Sequence, residues 1–296
     1  MVALANTLQG ELRINEPLAK HTSWRVGGIA QQFYRPASAE DLALFLSQLP
    51  ESEPVLWLGL GSNLLVRDGG FAGTVIATAG VLNSVEITGN IVYAEVGVSC
   101  GKMARKLAKL GLSGVSFLAG IPGTLGGALA MNAGAHDGET WQLVTSVTTV
   151  DRQGVLRQRL PADFTVSYRH VELPQGEWFV SAELTLAAGD AQIESAKIKA
   201  LLKHRNTTQP TNQPCAGSVF RNPQNDFSGR LIEEMGLKGL TIGGASVSEK
   251  HANFIINDGT ATAADIENLI LLLQQKIEQQ YGVRLQPEVH IVGEAA

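Results

Sequence analysis

The stretch Ala119-Gly120-Ile121-Pro122-Gly123-Thr124-Leu125-Gly126-Gly127 constrains this chain more than any other. It holds four glycines and one proline in nine residues, then runs into Ala128-Leu129-Ala130-Met131-Asn132-Ala133-Gly134-Ala135. Glycine loses more conformational entropy on folding than any other residue. Such density therefore marks a backbone that turns sharply or approaches something closely. Successive N–H groups in a loop of this kind form a concavity suited to phosphate. A second loop, Gly59-Leu60-Gly61-Ser62-Asn63-Leu64-Leu65, follows the apolar run Val55-Leu56-Trp57-Leu58. Two such loops point to a diphosphate-bearing cofactor gripped from two sides. The spacing matches neither the dinucleotide-binding G-x-G-x-x-G nor the P-loop, and no lysine follows the glycines.

The chain has 296 residues, enough for two domains or one large one. Apolar residues at 44% against 17% charged describe a globular core rather than a disordered chain. A net charge of −5 argues against general nucleic-acid binding. Cys100 and Cys215 give no disulfide framework and fit a reducing compartment. No basic segment followed by an apolar one opens the chain. The most apolar helical pattern carries Asp265, Glu267 and Asn268, so no membrane span is expected. The expectation is a cytoplasmic protein with no nucleic-acid, membrane or obligate protein partner.

Along the chain, residues 1–53 mix a short helical start with His21-Thr22-Ser23-Trp24-Arg25-Val26-Gly27-Gly28. A helix is predicted over Ala39 to Leu49, and strands over Val55 to Leu58 and Gly73 to Thr78. Gly89-Asn90 and Asp151-Arg152-Gln153-Gly154 predict hairpins. Gly101 to Leu110 reads as a helix capped by Gly111. Trp178 to Leu186 alternates as a strand does. Ala187-Ala188-Gly189-Asp190 marks a boundary, with Asp190 as the N-cap of a helix through Leu201. A long helix begins near Thr262, with Asp265 completing a capping box, and ends at Gly282. A last strand is predicted over Val283 to Val292, with Val283, Leu285, Val289 and Ile291 on one face. Strands, hairpins and helices in this order describe an α+β fold rather than a regular βαβ series.

Several residues carry chemical potential. Ser218, after Gly217, is either a turn serine or a hydroxyl that donates a proton or attacks, and a nucleophile needs a neighbouring base. Arg169 in Tyr168-Arg169-His170 is a surface arginine or a clamp for carboxylate or phosphate. Glu288 faces solvent, or serves as an acid if its strand face looks into a cleft. His251 and Asn253 form an exposed polar loop or contact a polar substrate. No His/Cys/Asp/Glu cluster has metal-ligand spacing, so no metal is expected.

Taken together, these segments resemble the UDP-N-acetylenolpyruvoylglucosamine reductases, bacterial flavoenzymes of cell-wall precursor synthesis. The similar stretches are His21-Thr22 with Val26-Gly27-Gly28, Gly59 to Leu65, Ala119 to Ala135, Ser167-Tyr168-Arg169, Gly217 to Pro223, Gly244 to Ser248 with Lys250 to Ile256, and Pro287-Glu288-Val289. Their joint order makes the match specific. The resemblance implies two FAD-binding α+β subdomains of vanillyl-alcohol-oxidase type and a C-terminal α+β substrate-binding domain. The corresponding ranges are 1–72, 73–188 and 189–282, with 283–296 packing back on the first.

The resemblance further implies non-covalent FAD, NADPH as hydride donor, and a UDP-sugar substrate. The cofactor would be held by Gly59, Gly61, Ser62, Asn63 and Leu64 in the first loop. In the second it would be held by Gly120, Ile121, Pro122, Gly123, Thr124, Gly126, Gly127, Asn132 and Ala133. Ser218 resembles the proton donor, Glu288 its acidic companion, and Arg169 the clamp on the enolpyruvyl carboxylate. Tyr168, Arg205, Asn222, Lys250 and His251 resemble substrate contacts. Only 49 residues separate Arg169 from Ser218, which resembles the short form of the family, without a substrate-covering insertion.

Overall fold

The computed structural model of the chain describes residues 7–136 and 138–296. It separates into two compact units. One comprises the chain up to Ile14, Gln32–Gly59 and Gly73–Leu202; the other comprises Asn15–Gln31, Leu60–Ala72 and Lys203–Ala296. Each has its own apolar core. The elements are mixed α+β, as the order of predicted strands and helices requires.

The first unit is built around a five-stranded antiparallel sheet. Its order is Leu156–Arg159, Val144–Asp151, Glu177–Thr185, Ile91–Glu95, Val85–Thr88. Both predicted hairpins are present, since Ile87 pairs with Val92 and Val150 with Leu156. The alternation expected in Glu177–Thr185 gives way to a continuous buried run, Phe179 to Ala182, where the register with Val144–Asp151 shifts; Phe179, Val180, Ala182 and Leu184 all join the core. Helix α1 (Ala39–Gln48) starts at Ser38, whose hydroxyl accepts the Asp41 N–H at 3.1 Å. Helix α2 (Cys100–Lys109) buries Met103, Ala104 and Leu107 and ends before Gly111 at φ +72°. The short helix α3 (Leu125–Ala130) follows the second glycine loop. Helix α4 (Ala191–Thr208) is N-capped by Asp190, whose carboxylate accepts the N–H groups of Gln192 and Ile193 at 2.8 and 2.9 Å. A further sheet runs in the order Glu11–Pro17, Ile29–Arg35, Phe71–Ala77, Val55–Leu58, the last two parallel.

In the second unit, α6 (Ala263–Tyr281) packs on a small sheet of Thr241–Ile242, Ala245–Val247 and Ile255–Asn257, and α5 (Ser228–Glu234) packs on α6. The capping box at Thr262 and Asp265 and the left-handed Gly282 bound α6 as predicted. Trp24, fully buried, ties the early motif into this core. Its indole N–H donates to Ile255 O at 2.8 Å, and its carbonyl accepts from Asn257 at 2.7 Å. Among the described residues no helix is long and apolar enough to cross a membrane.

Two expectations need correction. Glu11–Pro17 is a strand followed by a single 3-10 turn, not a helical start, because it pairs along Ile29–Arg35; residues 1–6 lie outside the described residues. The strand expected over Val283 to Val292 is confined to His290–Val292. Pro287 has no N–H to give a ladder, and upstream the chain makes only a single bridge, from Pro287 to Phe220. The alternation itself survives, with Leu285 and Val289 buried and Arg284 and Gln286 exposed.

Asp41, 7% exposed, anchors the start of the first unit. Burial pushes its carboxyl up, but the Tyr34 hydroxyl and the amides of Gln9, Ala37 and Gly10 outweigh this and hold it below the ordinary carboxylate range. Its stabilisation is therefore complete above the unfolded value of about 3.9 and is lost as pH falls through the lower folded value. Asp41→Asn should lower stability by about 2 kcal/mol at neutral pH. Urea unfolding at neutral and acid pH checks this, and the gap from wild type should narrow in acid.

Candidate functional site

The second glycine loop is strapped to the chain that leaves the strand Ile91–Glu95. Cys100 N donates to Gly123 O at 3.0 Å, Leu125 N to Val98 O at 2.8 Å, and Gly126 N to Val96 O at 2.9 Å. Gly120 ends a 3-10 turn, Ile121 N bonds back to Leu118 O at 3.1 Å, and Pro122 opens the turn closed by Gly123 N on Ile121 O at 2.9 Å. Side chains added at Gly120 or Gly127 would meet nothing within 4 Å. Thr124 is 3% exposed, and its buried hydroxyl oxygen has no hydrogen-bond partner. A Cβ on Gly59 would sit 2.6 Å from that same oxygen, so the start of the first loop is glycine because Thr124 abuts it.

Asn132 is buried and left-handed at φ +42°. Its amide is fully engaged inside the protein: Nδ2 donates to Glu139 at 2.9 Å and to Ser167 O at 3.3 Å, and Oδ1 accepts the Trp141 N–H at 3.2 Å. Ala133 is held likewise, its N–H on Ala128 O at 2.9 Å and its carbonyl accepting from Thr140.

Arg169 lies beside this cluster in the first unit. Tyr168 and Arg169 form the two-residue turn of the hairpin Thr165–Ser167/His170–Glu172. Arg169 has φ +55°, a conformation that favours glycine. Its guanidinium donates to Gly134 O at 2.6 Å and to Asn132 O at 3.5 Å, and lies 5.1 Å above the Tyr168 ring. A long side chain on a backbone where glycine is preferred, and braced on two carbonyls, is held in one direction.

In the second unit the rest of the first loop meets the early motif. Gly61 has φ +64°, and a Cβ there would lie 2.1 Å from His21 O. Asn63 ties the loop forward: its Nδ2 donates to Glu288 O at 2.9 Å, and its carbonyl accepts the His290 N–H at 3.0 Å. Leu64–Val66 then pairs in parallel with His290–Val292. Ser62 O accepts the Gly217 N–H at 3.3 Å. Ser218 and Glu288, both half-buried, are joined through one residue, since Glu288 N donates to Val219 O at 2.7 Å.

Ser218 lines a cavity of about 710 Å³ within this unit, together with Asn222, Phe227, Lys250, His251 and Asn253. The cavity thus gathers Ser218 with three of the predicted substrate contacts. Burial, reinforced by the Lys238 ammonium, holds the His251 imidazole below its ordinary value despite the opposing Glu233. Its Nδ1 accepts the Asn253 N–H at 3.2 Å, which leaves the proton of the neutral ring on Nε2. Lys250 Nζ reaches Asn206 O. Arg205 is outside the cavity lining, desolvated beside Cys215 and bonded to Gln209 at 3.1 Å; burial pushes the Cys215 thiol up to about 11. Asn253, singled out from sequence only as a loop residue or substrate contact, is 3% exposed with its amide on the Phe220 backbone. Among the described residues no group of acidic, His or Cys side chains is placed to hold a metal ion.

Residues 30–158 match the model of an FAD binding domain, and residues 209–292 match that of the UDP-N-acetylenolpyruvoylglucosamine reductase C-terminal domain. A reductase of that name from Alkalilimnicola ehrlichii is 60% identical over 296 residues, spanning 100% of this chain and 99% of its own length. One from Nitrosococcus oceani is 58% identical across 99% of this chain and 98% of its own. The crystal structure of the Thermus caldophilus enzyme superposes with a TM-score of 0.83 at 31% identity, over 97% of this chain and 100% of that one. Fold and site therefore define an FAD-binding oxidoreductase of mixed α+β architecture. The chain belongs to the UDP-N-acetylenolpyruvoylglucosamine reductase family.

The left-handed turn at Arg169 makes a testable demand. Arg169→Gly and Arg169→Ala both remove the side chain, but only glycine relieves the backbone. The glycine variant should be the more stable by about 1 kcal/mol in urea unfolding, and both should lack turnover.

Proposed function

We propose that this protein reduces UDP-N-acetylglucosamine enolpyruvate to UDP-N-acetylmuramate in the cytoplasm, as a step of peptidoglycan precursor synthesis, with NADPH as the hydride donor. The observation that carries this reading is Ser218 on the wall of a cavity large enough for a sugar nucleotide, with Glu288 fixed to the adjacent residue.

The chain's own residues fit non-covalent FAD. The partnerless Thr124 hydroxyl is a buried polar atom in need of an acceptor or donor, and the space around Gly120 and Gly127 is a cradle that side chains would fill. These residues, with Ile121 to Gly123 and Gly126, would hold the diphosphate, as would Gly59 and the run Gly61 to Leu64. Asn132 and Ala133 would contribute by shaping the loop, because their polar groups are engaged internally. Bound FAD would supply a two-electron carrier linking NADPH to the enolpyruvyl group.

Reduction of the substrate adds a hydride at C3 and a proton at C2 of the enolpyruvyl double bond. Negative charge builds towards the carboxylate as the hydride arrives. Arg169, whose guanidinium is already oriented by two carbonyls, binds that carboxylate without reorganising. Ser218 delivers its Oγ proton to C2. A serine is a weak acid, so it acts only when aimed at a strongly basic carbon. Glu288 orients that hydroxyl or returns a proton to it. Asn222, Lys250 and His251 on the cavity wall, with Tyr168 and Arg205, bind the UDP-sugar, the cations and the imidazole N–H serving its diphosphate.

The deciding experiment is anaerobic. The flavin should bleach with NADPH and regain its oxidised absorbance when UDP-N-acetylglucosamine enolpyruvate is added. A flavin that stays reduced overturns the substrate assignment. Ser218→Ala should slow the second step by roughly 10²–10⁴-fold and leave bleaching by NADPH intact, as stopped-flow absorbance would read. His251→Gln should raise the KM for the UDP-sugar about tenfold with kcat little changed. Gly127→Ala should stabilise the apoprotein by up to about 1 kcal/mol while weakening FAD binding, an opposition that thermal melts and flavin titration would reveal.

A further inference from the structure

We propose that Asn253 is a positioning residue for Ser218: it fixes the main chain that aims the serine hydroxyl. The proposal rests on the reading of Ser218 as proton donor. Asn253 Oδ1 accepts the Phe220 N–H at 3.0 Å, and Nδ2 donates to the Phe220 carbonyl at 2.8 Å. Its own carbonyl accepts the Val219 N–H at 2.9 Å. One buried residue thereby takes both main-chain groups of Phe220 and the amide of Val219, the two residues after Ser218. From the other side, the Val219 carbonyl accepts Glu288 N–H at 2.7 Å. The chain immediately downstream of Ser218 is thus bonded on both edges.

Upstream the constraint is weaker. Gly217 has one long bond, its N–H to Ser62 O at 3.3 Å, and open space where a side chain would be. The direction of the Ser218 hydroxyl is set from the downstream end. A carboxamide gives one hydrogen bond and takes another through two atoms of one planar group, as the N–H and C=O of Phe220 require, and asparagine is the shorter of the two carboxamide side chains. Asn253 also lines the cavity beside Ser218 and donates its N–H to His251 Nδ1 at 3.2 Å. It therefore stands between a cavity-lining imidazole and the proton donor.

The test compares Asn253→Asp and Asn253→Ala with Asn257→Ala. Asn257 is an equally buried asparagine of the same unit that holds Trp24 O, Gly259 N and Ala261 N instead. Bleaching by NADPH and reoxidation by UDP-N-acetylglucosamine enolpyruvate are timed separately. A misaimed donor costs about 10²-fold, so Asn253→Asp should slow reoxidation by that order, with bleaching and the KM for the UDP-sugar unchanged. Acidification should restore part of its rate relative to wild type, because a protonated carboxyl again donates to Phe220 O; Asn253→Ala should show no such rescue. Asn257→Ala should lose stability and slow neither step selectively.

Against an active wild type, a parallel fall of both steps in Asn253→Asp overturns the proposal. So does the absence of acid rescue, or the same split in Asn257→Ala. A wild type that bleaches and never reoxidises overturns the substrate reading, and the role of Asn253 falls with it.

Discussion

The second unit depends on main-chain hydrogen bonds lent to a run with no sheet of its own. From Cys215 to Arg221 the chain bends at Gly217 and Val219 and belongs to no strand. Its polar groups find partners in separate places: Ile256 opposite Cys215, Ser62 for Gly217, Asn253 for Val219 and Phe220, and Gln286 and Glu288 for Arg221 and Val219. Buried peptide groups must be paired somewhere. Here that obligation gathers the serine, the glutamate and the first glycine loop around one backbone, and it leaves the serine side chain free to face a cavity.

The first unit solves the reverse problem. There a long side chain is held by the main chain of its neighbours. The carbonyls of Gly134 and Asn132 brace the Arg169 guanidinium, and a carbonyl orients a guanidinium without bringing a formal charge of its own. The left-handed backbone at the turn is the strain accepted for that orientation. Asn132 underwrites it by pinning Ser167 O, the residue at the hairpin's last pair.

Local chemistry was readable wherever it acts within a few residues. The caps at Asp190, Thr262 and Gly282 and the hairpins at Gly89-Asn90 and Asp151 to Gly154 depend only on neighbours, and they stand in the structure as predicted. The two glycine loops were legible as special backbone, and Ser218, Glu288 and Arg169 only through resemblance to relatives. What escaped is what distance decides. Val283 to Val289 alternates like a strand, yet its neighbours offer it a single bridge. The edge strand Glu11–Pro17 exposes Leu12 and Ile14, so no apolar face announces it. Asn253 reads from sequence as an exposed loop residue or a substrate contact; its burial depends on Phe220, 33 positions away.

The parallel pairing of Leu64–Val66 with His290–Val292 has a consequence for biogenesis. A ribosome releases the first partner more than two hundred residues before the second, and Arg67 waits 200 residues for Glu267. Closing so long a loop is entropically slow, and parallel pairing rewards it only at the end. The nascent chain can therefore assemble the antiparallel sheet of the first unit during synthesis, while the segments Asn15–Gln31 and Leu60–Ala72 emerge early and stay unsatisfied. Those segments include Leu60 to Leu65 of the first glycine loop, so that loop gains its last partners, Glu288 and His290, only as translation finishes.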